Sequence, residues 1–317
     1  MKLRIINKTI FFILLLTLYI PSTQAKEIWL KNIPTAKLTE LYQQVGYTGW
    51  KDKDWLMIPS HKYPAILLKN FPEDFAQITD EKERNSLFIR IMAPLAMHLN
   101  ENLLQERQII LDLQNEFEQN KKLSDKQVKL LEDKAVKYDV FSRLKGSERL
   151  TYLLSELLNR IDIIPPSIMI TIAAIETNFG TSRIVKEGNA LYKILNWNTK
   201  EGLKPIGEKE NAEYRIRTYP NIYKSMEDFA LRLNSSVNFS FFRITRASKR
   251  QSASTHRIKG DSIAAFLFTN SELKNYAGII DYTLSYYELS VIDRSALDSA
   301  NLSGEILKKY SKYITKK

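Results

Sequence analysis

The stretch Asp162-Ile163-Ile164-Pro165-Pro166-Ser167-Ile168-Met169-Ile170-Thr171-Ile172-Ala173-Ala174-Ile175-Glu176 decides the fold of this chain. Pro165-Pro166 stops one helix and starts the next, because proline is tolerated in a first turn. From Ile168 to Ile175 only Thr171 is polar, so no polar stripe is left. A helix that is apolar all round is a buried one. Glu176 stands at its C-terminal end, shortly before Gly180, the expected left-handed stop. Partial burial and the negative end of the helix dipole both favour the protonated form of a carboxyl in that place. A glutamic acid that keeps its proton is what a glycosidase general acid requires. The spacing alone also fits a glutamate that has merely reached the surface.

The chain around this segment has 317 residues, enough for two ordinary domains or one large one. At 44% hydrophobic and 26% charged residues it is globular in composition, which excludes a collagen-like or wholly disordered chain. It has no cysteine, so disulfides, thiolate nucleophiles and cysteine-held metals are excluded. Its three histidines, His61, His98 and His256, are far apart and lack metal-binding or triad spacing. Chemistry is therefore expected from carboxylates, tyrosines, lysines or a borrowed cofactor.

Lys2, Arg4 and Lys8 precede an apolar run from Ile10 to Ile20, followed by Pro21-Ser22-Thr23-Gln24-Ala25. This pattern predicts a signal peptide over 1–25, cleaved after Ala25. The run is too short for a hydrocarbon core that needs roughly 20 residues, which disfavours an uncleaved anchor. Export from the cytoplasm is the expected localisation. The net charge of +11 is spread along the chain. Export makes an anionic envelope polymer a better partner for it than nucleic acid.

Residues 26–145 read as a helical N-terminal region. Leu87, Ile91, Leu95, Leu99 and Leu103 recur at spacing four, with Pro94 as a kink or division. The charged stretch 105–137 reads as a helical hairpin, with Ser124 and Gln127 as a capping box. Another helix is expected from Glu148 to Arg160. A soft boundary near 145 separates this region from 146–293, and residues 294–317 read as a polar tail.

Several segments resemble a known family. Ile172-Ala173-Ala174-Ile175-Glu176-Thr177-Asn178-Phe179-Gly180 is similar to the Ala-x-Glu-Ser-Gly-Trp-Gly segment of bacterial N-acetylglucosaminidases, lysozyme-like hydrolases of the glycoside hydrolase family 73 type that cut peptidoglycan. Gly188-Asn189-Ala190-Leu191-Tyr192 resembles that family's Gly-Asn-x-Leu-Phe stretch. Arg217-Thr218-Tyr219 before Ser225-Met226-Glu227-Asp228-Phe229 resembles its Arg-x-Tyr strand and following helix. Phe75 to Arg84 and Glu106-Arg107-Gln108 look like the N-terminal part of Bax-like proteins of Gram-negative bacteria. The likeness runs from about Pro72 to Asp293. Thr177, Asn178 and Phe179 depart from the family's Ser, Gly and Trp.

The resemblance implies a mainly α (α+β) fold: a lysozyme-like catalytic domain with a small β-hairpin lobe, after a helical N-terminal region. It implies that Glu176 protonates the leaving oxygen of a β-1,4 bond after N-acetylglucosamine, with no metal or organic cofactor. The Bax-like segments imply the periplasm or outer envelope of a Gram-negative cell as the localisation. Glycoside hydrolysis normally uses a second acid. The family often carries it on the hairpin, where Glu208, Glu210 and Glu213 are candidates, Glu213 foremost because Ala212 to Arg217 alternates as a strand does. Tyr219 either orients water or is a core tyrosine at the rim. Thr177, Phe179 and Tyr192 are expected at the substrate. Asn189 either fixes the loop or meets a sugar amide, and Gly188 supplies turn freedom. Ser225 with Asp228 reads as a cap. Among the C-terminal aromatics, Tyr276 and Tyr282 are candidates for lining the cleft.

Three readings remain open on sequence. One is an endo-β-N-acetylglucosaminidase acting on peptidoglycan glycan strands. Another is a lytic transglycosylase, which also uses one helix-end glutamate. The last is a non-catalytic wall-binding or envelope scaffold, with the N-terminal helices as a surface for an envelope protein partner or a cleft cover.

Overall fold

The computed structural model describes residues 26–49, 62–198, 200–206, 213–252, 258–267, 274–300 and 302–316. The expected signal peptide, Glu208, Glu210, His61 and His256 lie outside the described residues.

The N-terminal region opens with strand β1 (Ile28–Leu30), helix α1 (Thr35–Gln44) and strands β2 (Lys62–Pro64) and β3 (Ile66–Leu68). A 3-10 turn at Phe75–Gln77 leads into helix α2 (Glu81–Asn120). Asp80 caps α2 by accepting from the backbone N–H groups of Lys82 and Glu83 at 2.8 and 3.1 Å. Pro94 lies inside this one helix and does not divide it, as the sequence had left open. Lys121, in left-handed conformation (φ 55°), ends it. Helix α3 (Asp125–Lys137) starts on the expected Ser124–Gln127 capping box and folds back along α2. Helix α4 (Gly146–Arg160) completes a core of Ile110, Leu113, Leu131, Leu153 and Leu157.

Helix α5 (Pro166–Thr177) is the apolar helix on which the sequence reading turns, and it is buried from Pro166 to Ala174. Each fully buried Ile or Met contributes about 1.5–3 kcal/mol, which outweighs the weak helix propensity of its β-branched residues. After α5 come helix α6 (Arg183–Gly188) and strands β4 (Leu195–Asn196) and β5 (Arg215–Ile216), which pair antiparallel. Ile216 also pairs with Leu203, so the expected hairpin lobe is present. Helices α7 (Ile222–Ser235), α8 (Ser240–Ser252) and α9 (Lys274–Tyr286) follow.

The segment 294–317, expected as a polar tail, is woven into the fold. Strand β6 (Ala296–Asp298) pairs parallel with β2. Helix α10 (Gly304–Tyr310) follows, and strand β7 (Ile314–Thr315) pairs antiparallel with β1, which pairs parallel with β3. Leu297, Ala300 and Tyr310 are buried, so a few apolar residues in a polar stretch suffice to anchor it.

The main core joins Leu30, Leu68, Phe88 and Leu95 of the N-terminal region to Ile168, Ile172, Met226 and Ile292. Packing is continuous across position 145, which falls in the turn between α3 and α4. The architecture is mainly α with small sheets, the class the sequence predicts.

The connection Asp162–Pro165 is held by arginines. Arg246, fully buried, donates to the carbonyl oxygens of Asn159, Arg160, Asp162 and Ile163 and to Asn234 Oδ1. It occupies the carbonyls that a helix leaves unpaired at its C-terminus, here that of α4. Arg250 pairs with the buried Asp162 carboxylate. These contacts fix where α5 begins and therefore where it ends.

Candidate active site

Asp293 caps α5 from 126 positions away. Its Oδ1 accepts from Ser167 N at 2.9 Å, and its Oδ2 accepts from Ser167 Oγ and Gly260 N, both at 2.7 Å. The other end closes differently from expectation. The left-handed stop begins at Asn178 (φ 48°) and continues through Phe179 (51°) and Gly180 (79°). Thr177 Oγ1 donates to Ala173 O at 2.5 Å and accepts from Gly180 N at 2.9 Å. Gly180 is needed for room as well, because a Cβ there would meet the rings of Phe88, Phe71 and Phe75 at 3.1–3.3 Å.

This turn leaves the half-buried Glu176 at the edge of a cleft of about 550 Å³ between the end of α5 and the hairpin lobe. Tyr276, from α9, donates its hydroxyl to Glu176 Oε1 at 2.5 Å. Burial first, then the Glu176 carboxylate, push the Tyr276 hydroxyl above the usual tyrosine range, so it stays a donor. Lys193 places Nζ 3.6 Å from Glu176 Oε2. One carboxyl thus has a hydrogen bond on one oxygen and an exposed cation near the other. Ile184, Leu195, Ile206, Tyr214 and Ile216 give the cleft apolar walls. Glu176 is the one carboxylate among its described lining residues.

Of the other residues singled out in the sequence, Tyr276 is the one brought to Glu176. Thr177 is buried, and both its hydrogen bonds close the helix end, so it holds the turn and does not face the cleft. Tyr192 is buried too, stacked on Phe229 (centroids 3.9 Å apart) with its hydroxyl on Met169 O, and is a core residue. Phe179 is half-buried against Phe88 and Tyr287. Asn189 (φ 49°) fixes the loop by donating Nδ2 to Tyr219 O at 3.1 Å. Gly188 has no positive φ. Its lack of a Cβ matters because one would stand 2.8 Å from Thr218 Cγ2. Glu213 is exposed beside Tyr214 and outside the cleft lining. Tyr282 is exposed on α9 and stacks on Tyr286 at 5.6 Å.

Tyr219 directs its hydroxyl to Asp228 Oδ2 at 2.6 Å, and Arg217 donates to the same oxygen at 2.7 Å. Burial, then this hydrogen bond, raise the Tyr219 hydroxyl above the usual range. The expected cap at Ser225 and Asp228 is absent. Asn221 caps α7 by accepting from Lys224 N, Ser225 Oγ accepts from Leu191 N, and Asp228 ties the hairpin strand to α7. Lys193 and Asp293 were missed in the sequence. Lys193 directly follows the Gly188–Tyr192 motif, a positional signal, whereas nothing local marks Asp293. Among the described residues no group of three His, Asp or Glu side chains converges to hold a metal ion.

The site is thus one glutamate at the end of a buried helix, over a cleft walled by a small hairpin. Residues 153–292, a little under half of the chain, match the Glucosaminidase family, described as mannosyl-glycoprotein endo-beta-N-acetylglucosaminidase, which supports a glycoside hydrolase domain there. The chain is similar to protein Bax of Escherichia coli, with 27% identity over 198 residues, which cover 59% of this chain and 66% of Bax, a little under two thirds of it. The catalytic domain of the autolysin Auto from Listeria monocytogenes is 22% identical, covering 54% of this chain and 98% of that one, with a TM-score of 0.30.

Proposed function

We propose that this protein is an exported peptidoglycan hydrolase, an endo-β-N-acetylglucosaminidase acting in the Gram-negative envelope after loss of residues 1–25. The observation that carries this reading is the single carboxyl of Glu176, hydrogen-bonded to Tyr276 and facing an open cleft. Glu176 protonates the departing glycosidic oxygen through Oε2, while Tyr276 holds the other oxygen and so fixes the carboxyl plane. Lys193 compensates the negative charge left on Glu176 after proton transfer. The attacking group on the opposite face is water or the neighbouring acetamido oxygen of the substrate, because Tyr219 is committed to Asp228. A hairpin acid, Glu213 foremost, assists if that lobe closes over the glycan.

The single carboxylate among the described cleft residues also favours a second reading, a lytic transglycosylase on the same scaffold. Mass spectrometry of peptidoglycan fragments separates the two. Reducing N-acetylglucosamine ends, lost in Glu176→Gln, support the glucosaminidase. Anhydro-muramyl ends assign the transglycosylase. No fragments at all, from a folded protein that still sediments with the wall, leave a binding protein.

A further inference from the structure

The N-terminal region builds a second groove, of about 750 Å³, against α6, so that the segment 178–189 forms a wall common to it and to the Glu176 cleft. Its floor is apolar, from Phe71, Pro72 and Phe75. Three lysines line it: Lys31 after β1, Lys69 after β3 and Lys186 on α6. Among the described residues, none of these ammonium groups is in an ion pair. Of the two acids present, Asp74 has its Oδ1 committed to Thr35 N and Oγ1 at 2.9 and 2.8 Å, and Glu73 is exposed. Two of the four amides that line it are also committed, Asn70 to Asn32 N and Phe71 O, and Asn189 to Tyr219 O. The groove therefore offers small apolar contacts and an excess of positive charge, three lysines against two carboxylates, and it suits a ligand with short aliphatic side chains and carboxylates.

We infer that this groove binds the peptide stem of peptidoglycan while the glycan lies in the Glu176 cleft, an inference that rests on the proposed function. The distances suit it. An α-helix with its side chains is roughly 10 Å across, and four extended residues reach at most roughly 14 Å, enough to cross α6. The N-terminal region then acts as a specificity element that selects stem-bearing glycan. Solvent-exposed lysines contribute modestly and are screened by salt.

The test compares the processed chain, residues 26–317, with a Lys31→Glu/Lys186→Glu variant, whose two changes are at exposed positions. Binding to intact peptidoglycan and to glycan strands stripped of stems by an amidase is read by co-sedimentation at low and high salt. The inference expects about threefold to tenfold weaker binding to intact peptidoglycan in the variant, no change on stripped strands, and a difference that fades at high salt. KM for intact peptidoglycan should rise by the same factor, with kcat unchanged. Equal binding of both proteins to both polymers overturns the inference, as does an equal loss on stripped strands. Wild-type protein that binds stems in this manner but releases no fragments would leave the groove standing and sink the hydrolase reading.

Discussion

Tyr276 donates its hydroxyl to Oε1 of Glu176 at 2.5 Å, linking two helices 100 positions apart in sequence. The bond makes the orientation of the acid a property of α9 as much as of α5. It also turns a tyrosine that looked like cleft lining into a partner of the acid itself.

Tyr276→Phe should therefore keep the fold and lower turnover. A hydrogen bond to a charged group is worth about 1.5–3 kcal/mol, so kcat on peptidoglycan should fall about tenfold to a hundredfold. The pH profile of kcat should move as well, because the removed proton donor sits on the acid. Unchanged kcat and pH profile, with an unchanged melting temperature, would remove Tyr276 from the mechanism.

Glu101 provides a pH dependence of stability. Burial first, and then the nearby Glu27 carboxylate, push it up to about 7, against a stabilising hydrogen bond from the backbone of Leu297. An acid whose folded-state value is raised favours folding most when protonated. Its contribution is intact below the unfolded value near 4.5, declines as pH rises to 7, and is constant above. Relative to wild type, Glu101→Gln should be more stabilising at pH 8 than at pH 4.5, by about 1 kcal/mol after allowance for solvent screening, read from melting curves. Parallel wild-type and variant melting curves across that range would count against it.

Gly188→Ala should loosen the base of the hairpin lobe. The added methyl would stand 2.8 Å from Thr218 Cγ2 and 3.0 Å from Leu203 Cδ1. Overpacking of this kind costs about 1–3 kcal/mol. Urea denaturation should show a lower midpoint with an unchanged slope.

Arg246→Met should be more costly. It removes a buried guanidinium that donates to four carbonyl oxygens and to Asn234. The stranded acceptors and the Asp162 charge nearby should lower stability by about 3–5 kcal/mol in calorimetry. A loss under 1 kcal/mol would show that water replaces the guanidinium without cost.

Much of the fold was legible where local rules act alone. The capping box at Ser124–Gln127, the apolar helix ending at Glu176 and the short hairpin around Ile216 are local patterns of three to twelve residues, and each is present. Expectations failed where a side chain's partner comes from elsewhere. Ser225 and Asp228 have cap spacing, yet Leu191 takes the first, and Arg217 and Tyr219 the second. Tyr192 looked like a ligand-facing aromatic but stacks on Phe229 in the core.

The sequence by itself determined that one helix is buried along its length and ends in an acid at its edge. Its apolar residues leave no face for water, and Glu176 is the first charge after them. Only the tertiary structure decided what that acid meets. Tyr276, Lys193 and the distant cap Asp293 reach α5 through packing of segments up to 126 positions apart, for which no local periodicity exists. The tertiary structure also closed the chain on itself. Strand pairing between residues near 29 and near 315 depends on hydrogen bonds between backbones, which carry no mark in the side-chain pattern.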